Sequence, residues 1–533
     1  MRKTIQALSL LFFTALFVLA TYRLPDWLPA DLYLRINPLL GINAVIASRE
    51  MIGRVLWSLI LIGATLAVGR FFCAYVCPLG ACLDGLDFLF FRKSRRPGLM
   101  MDLDLRRWKY ILLILVIVAA LTGVALVYLI DPIALLTRFY TFVLHPAVIA
   151  VFNLLLDLIR PLSRGIGWVG LSHLQLSQPV YYMTALTLAI FGTVIALSRL
   201  APRFWCRYLC PLGALLSLIS PLGVFRRRVG EACNQCMACQ KRCPMGAIGE
   251  DPLKTRSAEC IQCRECAGVC PQKAISFPVS FSGMGEYSAL DLTRRGFVAS
   301  LAGGLTFGFL SFRTPFTLLQ GKRQLIRPPG ALPETEFLRT CIRCGECMKS
   351  CVTNTLQPCL WESGSAGLWT PKLEPRLAAC EPNCNVCGRV CPTQAIRSLP
   401  LEEKTYAKVG TAVLRKEMCL VWAQDKTCLI CDEICPYNAI VFRTVDGYRR
   451  PVVVTSRCNG CGYCEQRCPV AGESAIVVVT DGEIRLKEGS YISEAGKLNL
   501  EFKPDPGDDR YVIEGSNNPP AVRPALQKPK GFL

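Results

Sequence analysis

A multidomain membrane protein, with an α-helical transmembrane bundle followed by small cysteine-rich α+β domains, is the fold class this 533-residue chain predicts. Three observations predict it. Apolar runs crowd the first 200 residues, 30 cysteines recur mainly as tetrads beyond them, and one cysteine motif occurs twice at the ends of apolar runs. A hydrophobic content of 52% is membrane-like, whereas 19% charged residues require a substantial water-facing part. The net charge of +20 raises the question of nucleic acid. Much of that charge, however, flanks apolar segments: Arg92, Lys93, Arg95 and Arg96, then Arg106, Arg107 and Lys109, then Arg226, Arg227 and Arg228. This is the positive-inside signature of a membrane protein, and no nucleic-acid partner is expected.

The membrane domain, residues 1–225, is expected to contain about four transmembrane helices. Thr4–Tyr22 is about long enough to cross a hydrocarbon core of roughly 30 Å. Met51–Val68, Tyr110–Ile130 and Val180–Leu200 follow. The basic stretches 92–109 and 199–228 should share the cytoplasmic side, so an even number of crossings separates them. Two runs already supply that number, and residues 139–178 are therefore expected as an external, interfacial or re-entrant piece. Further on, Thr293-Arg294-Arg295-Gly296-Phe297-Val298 precedes a short apolar stretch, giving a twin-arginine motif and anchor over 286–322. The twin-arginine route exports folded proteins, which suits a domain loaded with metal in the cytoplasm. Residues 323–480 are then expected outside the cell, with a polar, Pro-rich extension and tail at 481–533.

The cysteine pattern excludes two bland readings. Disulfide scaffolds are short secreted chains, and zinc sites usually come as CxxC pairs with histidine; this chain has only His145 and His173. Residues 226–285 instead carry Cys233, Cys236, Cys239 and Cys243-Pro244, then Cys260, Cys263, Cys266 and Cys270-Pro271. This is the bacterial two-cluster ferredoxin spacing. Three close thiolates hold one 4Fe–4S cubane and the fourth cysteine reaches across to the other. Cys233, Cys236, Cys239 and Cys270 should hold one cluster, and Cys260, Cys263, Cys266 and Cys243 the second.

Four more tetrads follow in 323–480. They are Cys341, Cys344, Cys347, Cys351; Cys380, Cys384, Cys387, Cys391; Cys419, Cys428, Cys431, Cys435; and Cys458, Cys461, Cys464, Cys468. Val352 stands where proline is usual, the second tetrad has one extra residue in its first gap, and eight residues separate Cys419 from Cys428. Six 4Fe–4S clusters are expected in all, in ferredoxin-like domains. In the second block a nested exchange, first tetrad with fourth and second with third, is expected.

The remaining pattern is a repeat: 70–81 reads RFFCAYVCPLGA and 203–214 reads RFWCRYLCPLGA. Cys73, Cys77, Cys206 and Cys210 could jointly hold a seventh metal centre, act as redox dithiols, or pack where small residues are needed. Spacing leaves the three open. Cys82 and Cys359 read as small buried hydrophobes.

Residues 1–280, with the paired CxxxCP motifs and the ferredoxin pair, resemble the NapH/NosR-type membrane polyferredoxins. Residues 290–480, with TRRGFV and sixteen cysteines, resemble the NapG/MauM family of exported four-cluster ferredoxins. The resemblance implies a fusion of two partners in the bacterial inner membrane, passing electrons from the quinol pool towards a periplasmic reductase or cytochrome. No nucleotide or flavin fingerprint follows a strand, so hydride entry is not expected. Quinol oxidation needs a proton-accepting group in the membrane region, for which Asp131, His145, Asp157 and His173 are the candidates. A maturation or regulatory factor, reducing or loading a metal site in a partner enzyme, is the rival expectation.

Overall fold

A computed structural model describes residues 2–91, 105–279, 294–313 and 325–502, apart from positions 23, 26, 166–167, 169 and 171–172. The basic residues Arg92–Arg96, Thr293 of the twin-arginine motif, the side chains of Arg294 and Arg295, and the tail from 503 lie outside the described residues. The chain forms two compact units: Met1–Leu373 with Asn385–Leu399, and Glu374–Cys384 with Pro400–Leu533. The division thus runs through the region expected as one domain over 323–480, and the first outer tetrad belongs to the unit that holds the helices.

In the first unit, helix starts follow one local grammar, a capping side chain followed by proline. Asn37 accepts from Leu39 N at 3.0 Å to open Pro38–Ser48, and Asp131 accepts from Ile133 N and Ala134 N at 3.0 and 2.9 Å to open Pro132–Phe139. Cys77 and Cys210 occupy the same position before Pro78–Leu86 and Pro211–Ile219. The N-terminal helix Arg2–Leu19 packs on the first of these cysteine-capped helices, and Arg107–Leu121 packs on the second. The helix Arg294–Arg313 also lies against Arg107–Leu121. Gly304 permits this approach, since a β-carbon there would meet Val118 Cβ at 2.9 Å.

Among the described residues, two helices are long and apolar enough to cross a membrane, by length and composition: Arg2–Leu19, and the 30-residue run Pro132–Pro161. The other expected crossings form shorter helices, Gly53–Val68, Arg107–Leu121 and Thr184–Leu197. Residues 139–178, expected as an external, interfacial or re-entrant piece, begin inside the second long run. Pro132–Phe139 passes through a π-type turn at Tyr140–Leu144 into His145–Gly165, and this last helix exposes Val148, Val151, Phe152, Leu155 and Leu158. His145–Pro146 does not break the run, because proline is tolerated in the first turn of a helix.

The ferredoxin pair docks on one end of these helices. Arg70 Nη1 donates to Ala258 O at 2.8 Å, and Arg106 Nη2 donates to Met245 O and Gly246 O at 3.1 and 3.0 Å. Tyr75 donates to Gln262 O at 3.3 Å. The loop of the first outer tetrad docks on the other end. Arg343 Nη1 donates to Ala125 O at 2.6 Å, Lys349 Nζ to Val18 O at 2.8 Å, and Tyr181 Oη to Met348 O at 3.2 Å. Lys109 opens the helix Arg107–Leu121 on the Glu259 side, and Ala125 follows that helix on the Arg343 side. The 12 residue-to-residue steps from Lys109 to Leu121 span about 18 Å of helix axis.

The second unit is α+β. Thr411–Leu414 pairs antiparallel with Ile476–Val479, and Ile440–Val445 with Tyr448–Val453. The hairpin turns at Asp446-Gly447, with φ of 53° and 81°, the primed turn that an Asp-Gly pair favours. Gly460 has φ of 84°, and a β-carbon on it would lie 2.6 Å from Gly410 N and O. Gly460→Ala is therefore expected to destabilise this unit by about 2–4 kcal/mol. Gly447→Ala, where φ is also positive but nothing lies within 4 Å, should cost only about 1 kcal/mol. Thermal unfolding midpoints of the two variants check the contrast.

Candidate iron–sulfur centres

Each regular CxxCxxC loop uses the same backbone device. Residues two and four places after its first cysteine take left-handed φ: Gln235 and Met237, Gln262 and Arg264, Arg343 and Gly345, Gly460 and Gly462. These two excursions turn the loop so that three thiols face one side. A second device follows the fourth cysteine. Gly246, Lys273, Asn354, Gln394 and Asn438, each three places on, are also left-handed. Asn354 keeps that turn after Cys351 although Val352 replaces proline. The tight turn aims backbone N–H groups at sulfur: Ala247 N at Cys243 Sγ and Ala439 N at Cys435 Sγ, both 3.3 Å, and Ile396 N at Cys391 Sγ, 3.5 Å. Such donors stabilise sulfur as thiolate.

Four cavities show how the cysteines combine. Cys260, Cys263, Cys266 and Cys243 line one of about 310 Å³, the expected exchange of the ferredoxin pair. Cys341, Cys344, Cys347 and Cys391 line one of about 360 Å³. In the second unit Cys419, Cys428, Cys431 and Cys468 line about 380 Å³, and Cys458, Cys461, Cys464 and Cys435 line about 320 Å³. The nested expectation is thereby corrected. Cys391 of the second tetrad lies with the first three thiols of the first, and the third and fourth tetrads exchange Cys435 and Cys468. The long gap after Cys419 is absorbed by the helix Leu420–Ala423, which returns Cys428 and Cys431 to the same cavity as Cys419. Of the other thiols, Cys351 and Cys387 belong to the first unit, and Cys380 and Cys384 to the second. Cys233, Cys236, Cys239 and Cys270 lie in the ferredoxin pair, where Arg227 Nη2 donates to Cys239 Sγ at 3.6 Å.

Among the described residues, no three His, Cys, Asp or Glu groups converge as ligands of one metal ion would. The thiols instead ring cavities, a donor set and spacing that suit a polynuclear cluster better than a single zinc. Burial reinforces this. Cys344, Cys347 and Cys464 are enclosed, and burial pushes each thiol well above its ordinary pKa. A thiolate at such a position needs metal to be stable.

The duplicated motif also comes together. Cys73 and Cys206 sit in π-type turns, Phe72–Val76 and Trp205–Leu209, and Cys77 and Cys210 begin the helices that follow. Cys82 is partly buried in the helical core, and Cys359 is fully buried with Arg327 Nη1 donating to its Sγ at 3.5 Å.

The four proton-site candidates do not form one site. Asp131 is fully buried and spends its oxygens on the helix cap and on Asn37 Nδ2 at 2.8 Å. Asp157 pairs with Arg160 at 2.6 Å on an exposed helical face, and His173 is exposed. His145 differs. Its Nδ1 is buried without a partner, and its ring stands edge-on to Phe17 at 6.4 Å, the ring over which Lys349 Nζ lies at 5.0 Å. A single continuous helix separates Asp131, His145 and Asp157 by turns, which is why they cannot converge. Sequence reading missed the docking roles of Glu259, Arg70, Arg343 and Lys349; adjacency to a ligand cysteine was the available signal for Glu259 and Arg343.

Ferredoxin-type 4Fe–4S domains, joined to apolar helices, define the class of this protein. The 4Fe-4S binding domain family matches residues 51–97 and 183–230, and 4Fe-4S dicluster domain families match 232–275 and 426–471. The chain is 39% identical to the methylamine utilization ferredoxin-type protein MauM of Methylorubrum extorquens, over 30% of this chain and 74% of the relative. It is 36% identical to the ferredoxin-type protein NapG of Escherichia coli K12, over 29% of this chain and 70% of the relative. To NapF of the same organism it is 32% identical, over 28% and 84%. No solved structure matches. The chain belongs to the MauM/NapG family of ferredoxin-type proteins, over about three-tenths of its length, and its function is iron–sulfur electron transfer.

Proposed function

We propose that the chain is a membrane-bound electron carrier that takes electrons from quinol and passes them through six 4Fe–4S clusters towards a periplasmic reductase or cytochrome. The observation that carries this reading is the docking of cysteine loops on both ends of the same helices, with Glu259 beside Cys260 at one end and Arg343 beside Cys344 at the other. A NapH/NosR-type membrane part fused to a NapG/MauM-type part accounts for that arrangement. The ligands are the four cavity sets, together with Cys233, Cys236, Cys239 and Cys270, and the remaining tetrad cysteines Cys351, Cys380, Cys384 and Cys387. When bound, each cluster supplies one-electron carriage at a potential set by its surroundings.

The chain's own residues do the rest. Arg2, Arg70, Arg106 and Lys109 hold the ferredoxin pair to the helices through Glu259 and Glu265. Arg54 Nη1 donates to Cys391 O at 2.8 Å and Arg389 O at 3.1 Å, which fixes the crossing cysteine of the outer loop. His145 is the proton acceptor we assign for quinol, since its Nδ1 is free and it lies next to the ring that Lys349 covers.

Anaerobic purification with iron counting and EPR tests the reading, followed by addition of a reduced menaquinol analogue. Reduction of the clusters by quinol is the expected result. Clusters that stay oxidised with every quinol would remove quinol entry and leave the maturation reading. His145→Gln should slow quinol-driven reduction by about 10²-fold or more and leave iron content and dithionite reduction unchanged.

A further inference from the structure

Two arginines lie buried where the first outer tetrad docks on the helices, and neither has a carboxylate to meet it. Arg138, 3% exposed, belongs to the apolar run Pro132–Pro161, and Arg343, 1% exposed, belongs to the cysteine loop. Their hydrogen bonds go to backbone carbonyls. Arg138 Nη2 donates to Tyr128 O at 2.5 Å. Arg343 donates from Nη1 to Ala125 O at 2.6 Å, and from Nη2 to Leu338 O at 3.4 Å and to Ala366 O. Arg138 Nη1 and Arg343 Nε are buried with no hydrogen-bond partner.

The carboxylates nearby are engaged elsewhere. Asp131, in electrostatic range of Arg138, spends its oxygens on the helix cap and on Asn37. Asp31 pairs with Arg35 at 2.7 Å, and Glu346 lies in electrostatic range of Lys349. A guanidinium inside an apolar run of membrane length is costly unless something anionic faces it. The two guanidinium groups are also in range of one another and repel, so packing alone does not account for both.

Beside both arginines stands the cavity of Cys341, Cys344, Cys347 and Cys391. Arg343 lines it, with Cys341 in electrostatic range, and Arg138 lies in electrostatic range of Cys344. Thr141, three residues after Arg138 in the same run, is fully buried with Oγ1 unpartnered. A β-carbon on Gly345, another lining residue, would come within 3.3 Å of that hydroxyl. The helical run thus turns a guanidinium and a hydroxyl towards one cysteine loop.

Aromatic rings hold the arginines in place. The Tyr128 ring centre lies 4.0 Å from Arg343 Cζ and 5.6 Å from Arg138 Cζ, and the Trp369 ring centre lies 4.6 Å from Arg138 Cζ. Trp369 is buried and has φ of 60°, a region that favours glycine, so its backbone is strained to set the ring there. Such stacking orients a guanidinium but supplies no counter-charge. Four thiolates around a 4Fe–4S core carry net negative charge, and one-electron reduction adds one more.

We propose that Arg138 and Arg343 are the counter-charges of the cluster held by Cys341, Cys344, Cys347 and Cys391, so that a residue of the membrane-length helix sets the potential at which electrons enter the outer clusters. It rests on the electron-carrier reading above, whose quinol supplies the electron. Both cations favour the reduced form, which raises the midpoint potential.

The test is an EPR-monitored redox titration with dithionite on full-length protein solubilised anaerobically, with iron counted. Cys344→Ser identifies the signal of this cluster by removing it. Arg138→Gln removes no ligand, so it should keep the iron and lower this midpoint alone. The expected loss in electron affinity is on the order of tenfold, about 59 mV for a one-electron couple. Arg138→Lys keeps the charge and should restore most of it, and Arg343→Gln reads the same effect from the cysteine loop. A wild-type midpoint in either glutamine variant that keeps its iron overturns the counter-charge. Should both glutamine variants lose that iron, retention in Arg138→Lys supports the assignment, and loss there too overturns it. A wild type without tetrad signals would instead strike the iron–sulfur reading. Clusters reduced by dithionite but by no quinol would strike quinol entry and leave the counter-charges standing.

Discussion

Serine at position 391 is expected to abolish the cluster of the Cys341–Cys347 loop and to spare the clusters of the third and fourth tetrads. The cavity of about 360 Å³ places Cys391 with Cys341, Cys344 and Cys347. Ile396 N and Arg54 Nη1, which bind Cys391 Sγ and O, hold it there. A nested exchange would instead have Cys391→Ser damage a cluster built on the third tetrad. The checkable result is the loss of one cluster's iron, with the EPR signal lost being the one that Cys344→Ser also removes. A double Cys344→Ser, Cys391→Ser variant should lose no further iron, because two ligands of one site are not independent.

Glu259→Gln is expected to be the most destabilising substitution outside the ligands, by about 3–5 kcal/mol. Burial alone would favour a neutral carboxyl at this position. Lys109, Arg70 and Arg106 outweigh burial and hold the pKa of Glu259 down to about 2. The amide would take from the buried Lys109 and Arg70 the carboxylate they pair with. The thermal midpoint of the solubilised protein should fall, and the ferredoxin pair should become sensitive to protease at its junction with the helices. Lys109→Met placed in the Glu259→Gln background should recover part of the loss by removing one unpaired cation. Recovery there separates charge imbalance from a general packing defect.

Legibility from sequence followed the range of the interactions. The exchange in the ferredoxin pair was readable because one close-spaced repeat encloses it. The exchange among the outer tetrads was not, since irregular gaps at Cys380–Cys384 and Cys419–Cys428 concealed which repeats fold together. Asp131 was read as a proton-site candidate, yet Asp131-Pro132 is also a helix-cap signature, and the cap is what the structure shows. His145 kept its candidacy because a ring nitrogen left unpartnered can be seen only once its surroundings are in place.

By itself the sequence determined what depends on local spacing: six thiol tetrads, left-handed turns that let CxxCxxC loops wrap a cluster, and a motif occurring twice. Tertiary structure alone decided what depends on residues far apart. Arg70 and Glu259 are 189 positions apart, Arg343 and Ala125 are 218, and Arg203 and Cys73 are 130. Spacing arises from the chain's own short-range geometry, whereas the partner of a buried charge is chosen by whichever distant group the packed helices bring within a few ångströms.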